Sequence, residues 1–299
     1  MTELYEKSIK TLELPAVLAL LSGEASSAPA KEKTLLLRPS DSVYEVRRLL
    51  GETTAAKTMM VLKGSPSFSG VRDVRSSLSR ADMGGLLNTR ELLDIAGVLQ
   101  TARTVRAYAG GDSCGRSDID FLFSSLMANK FLEEKITGAI IGEDEIADGA
   151  SSELAAIRRL IRAASARVRE SLQKIISSPA YAKALQEPII TSRDGRYVVP
   201  VKSDHKSFVP GLVHDVSSSG ANNELRELHA KEKQEIERIL AELSAECGDH
   251  ANDIISDFNV LVQLDLIFAK ARLSYKLNCT EPVVSEGRTQ LKKARHPLL

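Results

Sequence analysis

Residues 151–178 read SSELAAIRRLIRAASARVRESLQKIISS, and this stretch is the strongest indication of a mainly α fold. Its apolar residues recur every three or four positions, which is the spacing of one face of an α-helix. At about 1.5 Å per residue, the predicted helix is about 40 Å long. A helix of this length needs a partner to cover its apolar stripe. The stripe consists of Leu154, Ile157, Leu160 or Ile161, Ala164, Val168, Leu172 and Ile175.

Residues 222–247, NNELRELHAKEKQEIERILAELSAEC, provide a second helical stripe with charged residues elsewhere. Basic residues outnumber acidic ones by seven to three over 151–187, and acidic residues outnumber basic ones by seven to four over 222–247. Helices of complementary charge pair favourably along a shared seam. We therefore predict two long antiparallel arms packed as a coiled coil. The second stripe comprises Leu225, Leu228, Ile236, Ile239 and Leu243.

A β-rich segment lies between the two arms. Residues 188–220 contain clusters of β-branched residues and an Asp194-Gly195 turn, which predict strands at 196–202 and near 211–215. This module at the tip of the arms carries a small surplus of cations, and phosphate contacts need only a few such groups. The candidate nucleic-acid-binding residues are Arg193, Arg196, Lys202, His205, Lys206 and His214.

His205 and His214 each stand beside an aspartate, and this arrangement has two interpretations. One is an acid-base pair that acts on a phosphodiester, and the other is a solvated, hydrogen-bonded histidine. No nucleophile accompanies them, and no histidine has the i, i+4 spacing with a carboxylate that metalloenzyme helices use. The second interpretation is favoured. We predict no catalytic residue, no metal site and no cofactor in this part of the protein.

Helical spacing also dominates the rest of the chain. Residues 42–63 and the segment from Asn88-Thr89 to Ala109 are predicted helices, and the pattern continues beyond Gly248 to about Leu277. The predicted fold class is mainly α, a multi-helix core with long antiparallel lever helices and a small β-rich clamp module at their tip. The predicted divisions are a helical core (1–150), a first arm (151–187), a β-rich tip (188–221), a second arm (222–277) and a return to the core (278–299).

Composition excludes several classes of function. The 299 residues include 40 Lys and Arg and 40 Asp and Glu, so nucleic-acid contact would have to be local. Tryptophan is absent and aromatic residues make up 4%, which argues against a single-strand binder built on stacking. No GxxxxGK[ST] sequence occurs, so the chain alone is not expected to hydrolyse ATP. The absence of a long apolar stretch predicts a cytoplasmic protein without a membrane partner.

Six motifs are distinctive in combination. They are RYVVPVK at 196–202, GLVHD at 211–215, SSSG at 217–220, NNELREL at 222–228, GVRDV at 70–74 and ARHPLL at 294–299. Together they resemble a known family, the bacterial MutS proteins of the second type, which are paralogues of the mismatch-repair MutS. The resemblance spans nearly the whole chain. Family members usually carry a Phe-Ile-Glu-Pro strand before the paired asparagines, whereas Ala221 here directly precedes Asn222.

The resemblance implies a helical core, lever arms and a clamp, in agreement with the prediction from the residues. It implies that ARHPLL leads to an ATPase domain with ATP and Mg²⁺ as cofactors, and that an endonuclease domain follows. It also implies a homodimer whose arms enclose a nucleic acid. That substrate is branched DNA, with suppression of recombination, or ribosomal RNA in collided ribosomes, with ribosome rescue. The alternative is a helical scaffold that binds a partner protein without nucleic-acid contact.

Residues 131–133, Phe131-Leu132-Glu133, are similar to the Phe-x-Glu mismatch reader of the repair MutS proteins. They stand in a helical stretch without the domain that presents that reader. We therefore assign them to core packing, and mismatch recognition is not expected.

Overall fold

The computed structural model describes residues 3–110, 117–193, 196–205, 209, 220–285 and 289–298. These residues are mainly α-helical, as the sequence predicts, and none of their helices is both long and apolar enough to cross a membrane. The helices are α1 (Glu3–Thr11), α2 (Leu14–Glu24), α3 (Ala28–Leu35), α4 (Val43–Lys63), α5 (Arg75–Asp82), α6 (Thr89–Ala109), α7 (Asp120–Ser125), α8 (Lys130–Ala139), α9 (Ser152–Ser177), α10 (Gly220–Asp249) and α11 (Ala251–Lys276).

The strands are short and form two antiparallel pairs. Strand β1 (Ile140–Gly142) pairs with β2 (Glu145–Ile146), and β3 (Thr191–Arg193) pairs with β4 (Arg196–Val198). Short 3₁₀ turns cover Asp148–Ala150 and Ser203–His205. The predicted strand near 211–215 lies outside the described residues.

Local capping explains why several helices begin where they do. The Ser42 side chain accepts a hydrogen bond from the Glu45 N–H at the start of α4. Asn88 and Glu91 form a reciprocal capping box at the start of α6, which satisfies backbone donors that have no partner within the helix. The predicted helices at 42–63 and 89–109 are therefore confirmed.

The chain divides into two compact units. We call Met1–Thr137 with Leu243–Leu299 the helical unit, and Gly138–Glu242 the arm unit. The predicted second arm, 222–277, is divided between them, because α11 packs within the helical unit while most of α10 belongs to the arm unit. The amphipathic stripe of α10 therefore covers a different surface from the apolar residues of α11.

The central helix of the helical unit is α11. It is apolar around most of its circumference and packs against α2, α3, α4, α5, α6 and α7. Such a helix shows no narrow stripe, because neighbours cover it on most sides. Its Phe268 ring lies 6.0 Å from the Phe68 ring and 6.4 Å from the Phe123 ring, both of which are buried.

One carboxylate is fully enclosed on α11. Asp265 has an exposed fraction of 0% and accepts hydrogen bonds from the backbone N–H groups of Ser26 and Ser27 and from the Ser27 hydroxyl, at 2.8–3.1 Å. Arg272 donates to the same carboxylate at 3.1 Å. Because Ser27 is the N-cap of α3, this network fixes the start of α3 to the central helix.

The glycine of the GVRDV motif has a steric reason to be glycine. A Cβ atom at Gly70 would lie 2.6 Å from Thr101 Oγ1 and 3.0 Å from the backbone oxygen of Gly97. A Cβ atom at Gly97 would in turn lie 2.9 Å from the backbone oxygen of Gly70. The loop before α5 and the middle of α6 therefore approach each other backbone to backbone.

The assignment of Phe131-Leu132-Glu133 to the core is wrong for its first residue. Leu132 and Glu133 are buried, and Glu133 accepts two hydrogen bonds from Arg103 at 2.8 Å. The Phe131 side chain, in the first turn of α8, is 70% exposed. Only the predicted burial of Phe131 therefore differs from the structure.

Asp257 is a buried carboxyl on α11 that makes the fold sensitive to pH. Its Oδ1 accepts the Met127 N–H at 2.8 Å, while its buried Oδ2 has no partner among the described residues. Burial raises the pKa of Asp257 to about 6, assisted by the charge of Asp253. Between its ordinary pKa and about 6, the native state holds a proton that the unfolded chain releases, so stability falls as pH rises through this range.

We expect Asp257→Asn to gain stability relative to the parent chain by about 2 kcal/mol when the pH is raised from 4.5 to 7.5. Urea unfolding of both proteins at the two pH values measures this difference. Asp249→Asn, at an exposed carboxyl at the end of α10, is the control and should show little change. Parallel pH dependence of parent and Asp257→Asn would contradict the prediction.

Candidate nucleic-acid interface

The two long helices of the arm unit are antiparallel along a shared apolar seam. Near the start of α10, Leu225 and Leu228 form a buried cluster with Ala164 and Val168 of α9. At the other end of α9, the Ser151 hydroxyl donates to Glu235 of α10 at 2.6 Å. Residue numbers therefore rise along one helix as they fall along the other, as the amphipathic stripes predict.

The opposite charges of the two helices pair across this seam. Arg158 Nε donates to Glu232 at 2.7 Å, and Arg167 donates to Glu224 at 2.8 Å. Arg158 also reaches the Ile146 carbonyl and Asp148 at 2.7 Å, so one guanidinium joins α9, α10 and the segment before α9. The predicted charge pairing is confirmed. Much of the positive charge of α9 is consequently neutralised within the arm unit.

Glu235 fixes the beginning of α9 to the middle of α10. Its side chain is 6% exposed, and hydrogen bonds from Arg238 and Ser151 lower its pKa to about 2. Ser151 is the N-cap of α9, where it accepts the Leu154 N–H at 2.9 Å while donating to Glu235. One hydroxyl therefore both caps a helix and joins it to its neighbour.

A hairpin near the cluster end of the seam carries the candidate arginines. Its register pairs Ser192 with Tyr197 and Arg193 with Arg196. The predicted strand 196–202 is interrupted after Val198 and pairs again where Val201 forms a bridge with Leu185. The interruption spans Pro200, which has no N–H to donate, although its carbonyl accepts the Gln186 N–H at 3.0 Å.

Of the other four candidate residues, the structure describes Lys202 and His205. Lys202 is exposed, and its Nζ donates to the Lys183 carbonyl at 3.0 Å, which places two lysines side by side. His205 is exposed at the end of a 3₁₀ turn. Lys206 and His214 lie outside the described residues. Across the part of the chain that the structure describes, no three His, Cys, Asp or Glu residues are grouped to hold a metal ion.

Tyr197 and Arg169 form a contact that the sequence analysis missed. The guanidinium carbon of Arg169 lies 4.9 Å from the centroid of the Tyr197 ring, and Tyr197 packs against the cluster of α9 and α10. The hairpin is thereby attached to the seam. Nothing in the sequence joins two residues that are 28 positions apart and belong to a helix and a strand.

Comparisons with known proteins agree with the resemblance. No protein-family model matches the chain. Three curated bacterial relatives, each named Endonuclease MutS2, align with 98% of it: those of Ruminiclostridium cellulolyticum (41% identical), Acetivibrio thermocellus (42%) and Pelotomaculum thermopropionicum (42%). The chain spans 39% of the length of these relatives. The similarity thus covers nearly all of this chain but a smaller part of each relative, and the chain belongs to the MutS2 family.

Proposed function

We propose that the chain is the core, lever and clamp part of a MutS-type protein, and that its hairpin contacts the phosphate backbone of a nucleic acid. The observation that carries the proposal is the register of the hairpin, which makes Arg193 and Arg196 cross-strand partners. Like charges directly opposite each other on an antiparallel pair are unfavourable. A polyanion bound at this end of the hairpin would remove that cost.

The ion pairs of the arm unit support this location. Arg158 and Arg167 are paired with carboxylates of α10, so these positions on α9 have little charge left for a polyanion. The Lys202 and Lys183 side chains, by contrast, form no ion pair among the described residues and are exposed. Exposed positive charge without a described ion pair is therefore present near the hairpin, which agrees with a local contact in a chain of zero net charge.

The longer protein implied by the relatives would add the functions that this chain lacks. No phosphate-binding GxxxxGK[ST] sequence occurs here, so ATP, Mg²⁺ and the nuclease activity are assigned to parts outside this chain. We propose a cytoplasmic homodimer in which the state of the ATPase opens or closes the arms. The enclosed substrate would be branched DNA or the ribosomal RNA of collided ribosomes, both of which present dense phosphates.

Reversing two charges near the hairpin should weaken nucleic-acid binding. For Arg196→Glu with Lys202→Glu, we expect affinity for a labelled four-way junction to fall about tenfold or more at moderate salt. The slope of log affinity against log salt should become shallower by about 2, because each lost phosphate contact contributes about 0.9. Fluorescence anisotropy over a salt series measures both quantities.

The matched control is Lys231→Glu with Lys233→Glu, which makes the same change of charge at exposed positions on α10. This control should leave the slope almost unchanged. Equal effects of the two double variants would indicate a response to total charge and would refute the assignment of the hairpin. If neither variant changes affinity or slope, the scaffold alternative is favoured.

The two substrates can be separated by competition. We expect the chain to sediment with collided ribosomes. Excess four-way-junction DNA is then added as the competitor. Retention despite the junction favours ribosome rescue, whereas displacement favours control of recombination. Absence of binding to both ligands, measured with the longer dimeric protein as well, would overturn the nucleic-acid proposal.

A further inference from the structure

Arg169 differs from the other basic residues around it on α9. Arg162, Arg167 and Lys174 pair with Asp148, Glu224 and Glu170, respectively, at 2.8–2.9 Å. Within the described residues, the exposed Arg169 side chain has neither an ion pair nor a hydrogen bond. Its guanidinium instead lies over the ring of Tyr197 at 4.9 Å. No carboxylate among the described residues of the arm unit thus neutralises the charge of Arg169.

The position of the Tyr197 ring is set by the seam. Tyr197 is half-buried and packs against the cluster of Ala164, Val168, Leu225 and Leu228. Its backbone is paired with Ser192 in the hairpin. The ring therefore packs against the cluster between α9 and α10 and has a fixed place on the strand, one residue after Arg196.

A guanidinium held over an aromatic face keeps its N–H donors at the edge of its plane. Those donors match the oxygen atoms of a phosphate, and two of them can bind one phosphate together. Because the ring restricts the arginine before any ligand arrives, binding loses less side-chain entropy than it would with a freely moving arginine. An arginine held over a ring, with no anionic partner among the described residues, is thus prepared for an anion.

We propose that Arg169 is a phosphate-binding residue of the nucleic-acid interface and that Tyr197 is the residue that positions it. The ligand is a phosphodiester of the nucleic-acid backbone, supplied by DNA or by ribosomal RNA. This inference rests on the proposed function and extends the interface from the hairpin onto α9. It adds Arg169 to the candidates that the sequence indicated.

Arg169→Gln tests the phosphate contact directly. We expect about a fivefold to tenfold loss of affinity for the labelled four-way junction, with a slope against log salt that is shallower by about 1. The matched control is Arg159→Gln, at an exposed arginine on the same helix that forms no ion pair among the described residues. This control should leave affinity and slope near those of the parent. Co-sedimentation with collided ribosomes repeats the comparison for ribosomal RNA.

Three further variants test the positioning role of Tyr197. Arg169→Lys keeps the charge but loses the planar group, and Tyr197→Leu keeps an apolar contact with the seam but removes the ring. We expect both to lower affinity while the salt slope stays close to that of the parent. Tyr197→Phe keeps the ring and should restore affinity. Circular dichroism of each variant verifies that the arm unit is folded, and Tyr197→Phe supplies a readout if Tyr197→Leu does not fold.

The controls separate failure of this inference from failure of the proposed function. If Arg169→Gln binds like Arg159→Gln while the Arg196 and Lys202 double variant binds weakly, Arg169 is not a phosphate contact and the proposed function stands. If none of these variants alters affinity or slope, both proposals are overturned. A loss limited to the junction assigns the phosphate to DNA, and a loss limited to ribosomes assigns it to ribosomal RNA.

Discussion

Replacing Asp265 with alanine should destabilise the helical unit by about 3–5 kcal/mol, because removing one partner of a buried charged network leaves the others uncompensated. The carboxylate receives the N–H groups of Ser26 and Ser27, the Ser27 hydroxyl and Arg272. Without it, the backbone donors before α3 lose their acceptor, and that of Ser27 is buried. The Arg272 side chain, 18% exposed, also loses its carboxylate.

Urea unfolding followed by circular dichroism gives the change in unfolding free energy, and hydrogen exchange shows where it acts. We expect faster exchange in α3 and the facing part of α11, whereas α9 should exchange as in the parent chain. Asn259→Ala, at an exposed position of the same helix, should change stability by less than about 0.5 kcal/mol. Equal stability of Asp265→Ala and this control would show that the network contributes nothing net.

The sequence predicts the elements of this fold better than their partners. The residues flanking 42–63 and 89–109 contain their own start signals, Ser42 and Asn88, and local capping chemistry acts within one turn. The hydrogen bonds of Asp265, in contrast, connect residues almost 240 positions apart. No local pattern encodes such a contact, and the buried Asp265 is indistinguishable in sequence from an exposed aspartate.

The two arms show the same contrast: their helices are predictable from sequence, but the contacts that these helices make are not. The stripes of 151–178 and 222–247 predict two long helices, and charge counting predicts that they pair. That counting does not reveal which carboxylate each arginine reaches, because the register of two helices is set by packing along the whole seam. The helical pattern continued beyond Gly248, yet α11 packs within the helical unit. Periodicity identifies a helix without identifying the surface that covers it.

The candidate site was predictable only as a region. The turn and the strand predicted at 196–202 located one side of the hairpin, whereas its first strand, Thr191–Arg193, was not predicted. The arginines of the hairpin stand out by charge. Nothing in the sequence singles out Arg169, because its distinguishing feature is a contact with the ring of Tyr197, a residue of the hairpin. Arg167, two residues earlier and identical in type, pairs with Glu224 instead. Whether an arginine is available to a ligand is thus decided by tertiary contacts.

Arg158→Met should destabilise the arm unit by about 2–4 kcal/mol, because this guanidinium serves three acceptors in a largely enclosed place. Both Arg158 and Glu232 have side chains that are 20% exposed, and Asp148 and the Ile146 carbonyl complete the set. Methionine keeps an apolar stem in place of the arginine stem but has no guanidinium, so the loss would report the charged contacts more than the packing. Glu232 would remain half-buried without its cation.

The seam contains its own comparison. Arg167 and Glu224 join the same two helices, but their side chains are 64% and 48% exposed, and exposed pairs contribute less than about 1 kcal/mol. We therefore expect Arg167→Met to cost much less than Arg158→Met in urea unfolding. A double-mutant cycle of Arg158→Met with Glu232→Gln should give a coupling above that of Arg167→Met with Glu224→Gln. Equal couplings would mean that solvent screens both pairs alike and that the charge complementarity of the arms does not concentrate stability at Arg158.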